Sequence, residues 1–165
     1  MRKHELSEEL IKKLEGYKDH VYLDSRGIPT RGWGSTIHLD GTSVQMGEKC
    51  TREQDQELLQ YHLEKRVYPY VDKLCEGVEV PDNIYAALCS FCYNLGHGYF
   101  DRYNFKKYIT SQNWGDYDPE TEESTGLAEK LLRYDKAVNP KTGKLEMLQG
   151  LKNRRVAEVR FMLGV

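Results

Sequence analysis

In the stretch EGYKDHVYLD, residues 15–24, a glutamate closes an apolar helical pattern and an aspartate follows a run of alternating residues. Glu15 lies four residues beyond Ile11 and one beyond Leu14, at the edge of the apolar stripe and in the last turn of its helix. Both placements disfavour its charged form. The negative helix end costs a carboxylate about 0.3–1 kcal/mol, and partial burial against the apolar face adds to this. A carboxyl group that keeps its proton is what a general acid requires. Asp24, at a strand end facing a turn, is expected to be solvated and ionised. An acid and a base in such unlike environments are the minimum equipment for hydrolysing a glycosidic bond. Chance competes with this reading, because the chain holds 26 Asp and Glu and some must fall at helix ends and turns.

Other chemistries have weaker support. Cys89-Ser90-Phe91-Cys92 has the CxxC spacing, with His97 nearby, but no second pair exists and the segment IYAALCSFCYNL reads as a buried helix with small apolar filling. The acidic stretch DYDPETEEST, residues 116–125, starts like a calcium loop. Thr121 takes the position such a loop gives to glycine, and Pro119 stiffens the approach, so a solvated surface loop is expected. Phosphate-cradling glycine loops, zinc-protease helices and nucleophile elbows are absent from the sequence. No metal and no cofactor are expected.

The elements that must position Glu15 and Asp24 follow from periodicity and caps. Leu6, Leu10 and Leu14 with Ile11 predict an amphipathic helix over residues 7–15, with Ser7 as N-cap and Gly16 as terminator. Residues 20–24 alternate like a strand, SRGIP turns the chain, and TRGWGSTIH (30–38) returns as a glycine-weakened strand. A small antiparallel sheet of two or three strands is expected. Thr51-Arg52-Glu53-Gln54 forms a capping box that opens a long helix, with Pro69 as a kink or break. Residues 83–95 predict the central buried helix. Further helices are expected over 102–114, 125–136 and 152–163, with a loop at 139–150.

The 165 residues suit one domain, and 39% hydrophobic with 30% charged residues suits a globular core. A net charge of −2 leaves no electrostatic footprint for nucleic acid. Basic residues near Met1 lack an apolar stretch behind them, so neither a signal peptide nor a membrane span is expected. Four scattered cysteines predict reduced thiols.

The segment EGYKDHVYLDSRGIPTRGWGST resembles the active-site segment of the phage-type lysozymes, the endolysin muramidases. Its pattern is a Glu-Gly pair, an Asp after eight intervening residues, then a Thr in a Thr-x-Gly-aromatic-Gly strand; Glu15, Asp24 and Thr30 stand at those spacings, with Gly32, Trp33 and Gly34. SFCYNLGHGYF (90–100) and GLKNRRVAEV (150–159) resemble the family's central helix and C-terminal signature. The similarity is weakest over 101–149.

The resemblance implies an α+β, mostly helical lysozyme-like fold. A small β-containing lobe would span 16–60 and a larger helical lobe 61–165, with helix 7–15 packed on it. It also implies hydrolysis of the β-1,4 bond between N-acetylmuramic acid and N-acetylglucosamine in bacterial peptidoglycan, with inversion. Glu15 would be the acid, Asp24 the base or water-orienting carboxylate, and Thr30 its hydroxyl partner. Asn94, Tyr93 and Thr36 would contact the sugar, with core packing as the alternative for Tyr93 and helix termination for Asn94. Arg154 or Arg155 resembles an arginine beside the catalytic glutamate, with a solvated basic face as the alternative. A monomer is implied, held in the host cytoplasm until release to the cell wall at lysis, without membrane insertion. A lysozyme-like binding or virion module without turnover is the competing class. Two departures stand out: Ser35 where the family usually has histidine, and Tyr134 where tryptophan is common.

Overall fold

Every residue from Ile84 to Cys92 is buried, and all but Ser90 are apolar or aromatic. A helix with no polar face must lie inside the molecule, and the remaining elements are arranged around it. A computed structural model describes residues 2–165. In chain order the elements are α1 (Arg2–Glu15), β1 (Lys18–Leu23), β2 (Pro29–Gly32), α2 (Arg52–His62), a π-helical turn (Leu63–Val67), α3 (Tyr68–Cys75) and α4 (Asp82–Leu95). Then follow α5 (Gly98–Arg102), α6 (Phe105–Thr110), α7 (Gly126–Leu132), β3 (Lys136–Val138), β4 (Leu145–Met147) and α8 (Gln149–Leu163). The central helix α4 packs against α1 and α8, and also touches α3. Cys89 and Cys92 are free thiols buried on it, and burial pushes the Cys92 thiol up to about 12.

Beside α4, Phe91 meets the rings of Phe100, Phe105 and Tyr134, and Tyr134 also touches Tyr99 and Tyr103. Such ring pairs add about 0.5–1.5 kcal/mol each beyond their buried area. Tyr134 is thus one of six neighbouring rings.

β1 and β2 form an antiparallel hairpin that pairs Tyr22 with Thr30 and Leu23 with Pro29. Beyond β2 only isolated bridges continue the sheet, Arg31 with Ser35 and Ile37 with Ser43. The hairpin is tied to α2 by a buried ion pair, Arg31 Nε to Asp55 Oδ1 at 2.6 Å. Tyr17 donates its hydroxyl to the other Asp55 oxygen at 3.1 Å. Gly32 allows this approach, since a Cβ there would lie 2.7 Å from Asp55 Cβ.

Several boundaries differ from expectation. α1 starts at Arg2, and Ser7 lies buried within it, its hydroxyl donating to the Lys3 carbonyl at 2.6 Å rather than capping. The expected kink or break at Pro69 is present, but as a π turn ahead of it: Leu63–Val67 separates α2 from α3, whose first turn holds Pro69. The single helix expected over 102–114 is two short ones, because Asn104 is left-handed at φ 56°, a conformation asparagine tolerates. Within the expected 139–150 loop, β4 pairs antiparallel with β3, Ala137 opposite Glu146. Thr51 caps α2 as expected, accepting from the Gln54 amide at 3.2 Å.

Candidate active site

Glu15 is the last residue of α1, and Gly16 ends the helix with its amide on the Lys12 carbonyl at 3.0 Å. The Glu15 side chain is 19% exposed. Its Oε1 accepts from Arg154 Nη1 at 2.5 Å. Its Oε2 faces the turn that follows β2, where the returning strand expected over 30–38 has already ended and a Cβ on Gly34 would come within 3.1 Å of it. Any side chain at residue 34 would therefore crowd the carboxylate, and φ +90° there already favours glycine.

Arg154 is fixed from behind. Its Nε donates to Glu158 Oε1 at 3.2 Å, and its Nη2 reaches both Ser90 Oγ at 3.2 Å and the Ser90 carbonyl at 3.3 Å. Glu158 is fully buried and also receives Ser90 Oγ at 2.6 Å and Arg155 Nη2 at 2.9 Å on the same oxygen. Arg155 Nε stands 2.8 Å from Glu158 Oε2 as an ion pair, at an angle too poor for a hydrogen bond. Burial pushes the Glu158 carboxyl up, while Arg155, Arg154 and Ser90 pull against it.

Asp24 closes a tight turn at the end of β1. Its Oδ1 accepts from the amides of Arg26 at 2.8 Å and Ile28 at 3.0 Å, and its Oδ2 accepts from Arg26 Nη2 at 2.8 Å. The side chain is only 19% exposed, so solvation is not what keeps it ionised. Burial alone would raise it, but the Ile28 amide and the Arg26 side chain and amide hold it below the usual carboxylate value. Thr30 is buried on β2, and its hydroxyl donates to the Ile28 carbonyl at 2.8 Å. Asp24 and Thr30 are thus held by one peptide segment.

The two carboxylates share a neighbour. The Tyr22 hydroxyl is pushed up first by burial and then by the charges of both Glu15 and Asp24. The same Glu15 charge also acts on Tyr93, after burial.

The expected contact residues divide. Tyr93 lines a cleft beside Glu15 together with Thr36, and its hydroxyl donates to the Trp33 carbonyl at 2.7 Å, joining α4 to the turn after β2. Asn94 is half-buried and accepts from Arg155 at 2.9 Å. Of the arginine pair, Arg154 faces Glu15 and Arg155 turns inward. Glu158, Ser90, Arg26, Arg31 and Asp55 were not singled out from sequence. For Glu158 the available signal was its i,i+4 spacing from Arg154, which an exposed helix face would share. Among the described residues no group of His, Cys, Asp and Glu could hold a metal.

The sequence profile described as phage lysozyme matches residues 12–158. The endolysin of Salmonella phage P22 is 41% identical over 92 residues, covering 54% of this chain and 60% of that protein. The alignment therefore spans about three fifths of that relative's length. Among solved structures, the endolysin from Escherichia coli O157:H7 phage FAHEc1 is similar with a TM-score of 0.77 and 32% identity, over 96% of this chain and 90% of that one. A variant of P22 lysozyme is similar with a TM-score of 0.66 and 28% identity, over 95% and 94% of the respective chains. With its profile match spanning both Glu15 and Arg154, this chain belongs to the phage lysozyme family.

Proposed function

We propose that the protein is an endolysin-type muramidase, which hydrolyses the β-1,4 bond between N-acetylmuramic acid and N-acetylglucosamine in peptidoglycan with inversion. The observation that carries this reading is the tethering of Glu15: Arg154 holds one carboxyl oxygen and leaves the other facing the turn after β2 that carries Gly34. Protonated on that second oxygen, Glu15 gives its proton to the glycosidic oxygen as the bond to the muramic C1 breaks. A water held by Asp24 and Thr30 attacks C1 from the opposite face, and its proton passes to Asp24. Room for the water at Asp24 comes from Oδ2, whose partner Arg26 is 69% exposed and leaves at little cost.

The same reading places the protein's action at the bacterial wall after release at lysis, as a monomer. Among the described residues no helix is long and apolar enough to cross a membrane.

Proton NMR of the first products tests the stereochemistry. The α-anomer of the new reducing end is expected, and an initial β-anomer would contradict inversion. Glu15→Gln is expected to abolish clearing of purified cell wall; full clearing by that variant would remove the acid from the mechanism.

A further inference from the structure

The hairpin β3–β4 takes no part in the hydrolytic mechanism: Glu15, Asp24, Thr30 and Arg154 all lie outside it. Its register sorts the side chains onto two faces. Lys136 stands opposite Met147 and Val138 opposite Leu145, so these four share one face, while Ala137 and Glu146 share the other. The second face is half-buried. The first is open: Val138 and Leu145 are 62% and 65% exposed, with Met147 exposed beside them and Leu148 exposed just before α8. Apolar side chains scattered singly over a surface are ordinary, but a cluster of them marks an interaction site.

The tip of the hairpin is held in shape. The Asn139 amide donates to the Lys144 carbonyl at 2.8 Å, and the Gly143 amide donates to the Asn139 carbonyl at 2.8 Å. Glu146, the only carboxylate between Lys136 and Leu148, accepts from Asn139 Nδ2 at 2.8 Å and Thr142 Oγ1 at 3.2 Å, bracing the turn from the inner face. Lys136, Lys141 and Lys144 are exposed. Lys141 and Lys144 donate only through their backbone amides, to Asn139 Oδ1 and Thr142 Oγ1. Just outside the hairpin, Arg133 and Lys152 are paired with Glu129 and Glu122, whereas among the described residues none of the three hairpin lysines has an ion-pair partner. Asp135, one residue before β3, acts on Lys152. A chain of net charge −2 thus presents three free cations around one apolar face.

Lysines guard exposed sheet edges against pairing, but a guard needs no apolar face beside it. A second copy seated on this face in a two-fold pair would set lysines against lysines. A different protein needs more room. Three residues per strand make a face only about 10 Å long, far short of the roughly 800 Å² that a stable interface takes from each partner. A hydrated glycan could attract the lysines, yet it gives the apolar side chains nothing to enter. A bilayer surface satisfies both, since its anionic headgroups meet cations and its acyl boundary accepts apolar side chains one at a time. We propose that β3–β4 docks peripherally on an anionic phospholipid surface, with Val138, Leu145 and Met147 entering the headgroup boundary and Lys136, Lys141 and Lys144 pairing with lipid phosphates. The proposal goes beyond the muramidase reading and does not depend on it.

The test is flotation of the full chain with two kinds of vesicle, phosphatidylcholine alone and phosphatidylcholine mixed with phosphatidylglycerol. Wild type is expected to float with the anionic vesicles only, and to be released as salt rises from about 0.01 M to about 0.15 M. Lys141→Gln combined with Lys144→Gln should weaken partitioning about 25-fold, about fivefold for each lysine. Leu145→Ser combined with Met147→Ser should weaken it about tenfold while leaving the charge in place. Both double variants should keep the wild-type circular dichroism and the wild-type rate of cell-wall clearing, which separates docking from folding and from catalysis. Failure of wild type to float with anionic vesicles, or equal flotation with both kinds, overturns the proposal. So does flotation that ignores the serine pair, the mark of a general polyanion patch, or a wild-type dimer that the serine pair dissolves, the mark of a self-interface.

Discussion

At Glu15 the decisive neighbours come from the far end of the chain. Arg154 reaches it from α8, and Arg154 is itself held by Glu158 and Ser90. Glu158 serves two guanidiniums from a fully buried position. Removing it leaves Arg155 buried without a counter-charge, so Glu158→Ala is expected to cost about 3–5 kcal/mol, read as a fall in Tm. The milder Glu158→Gln keeps the shape but frees Arg154, and should lower kcat while leaving a folded protein by circular dichroism. Asp24→Asn is expected to lower kcat by about 10²–10⁴, the usual contribution of a positioned proton acceptor. The same carboxylate sets part of the acid stability. Its folded value is depressed, so its contribution is present above the unfolded value of about 3.9 and is lost as pH falls through the folded one. Below about pH 4, wild type should therefore lose stability more steeply than Asp24→Asn in pH-dependent thermal melts. Glu15 and Asp24 could be proposed from the sequence through their spacing and the Thr30 strand. Glu158 was not, since RRVAE at helical spacing reads equally as a solvated face, and only the folded chain shows that Ser90 and α4 bury it.

At the level of elements, the hairpin holding Asp24 and Thr30 depends on its bond to α2. The Arg31 and Asp55 side chains are 5% and 0% exposed. Breaking that pair by Asp55→Ala is expected to cost about 3–5 kcal/mol, and activity should fall with it because Thr30 adjoins Arg31. A melting curve unchanged from wild type would show that the hairpin is held by other contacts. The helices that carry the core were readable because their apolar periods are long and their ends are marked: Thr51 before α2, Gly96 after α4. The hairpin β3–β4 was not, because its strands are three residues long and expose Val138, Leu145 and Met147. Nor was the π turn, whose residues LEKRV have ordinary helical propensity; it becomes visible only once the helix must continue past Pro69 to keep Val71 and Leu74 in the core.

At the scale of the molecule, the proposed reading brings a net charge of −2 against an anionic wall. Added salt shortens the Debye length from about 30 Å at 0.01 M to about 8 Å at 0.15 M and so weakens a mild repulsion. Clearing rates should hold or rise over that range, and a steep fall would reveal a cationic attachment that net charge conceals. The central claim, that Glu15 and Asp24 together carry out hydrolysis rather than internal transfer, is tested most directly by mass spectrometry of digested peptidoglycan. New reducing muramic acid ends, one water heavier than the strand residue, are the expected product of wild type and should be missing with Glu15→Gln. Anhydro-muramic ends from the wild-type protein would contradict the role given to Asp24 and Thr30.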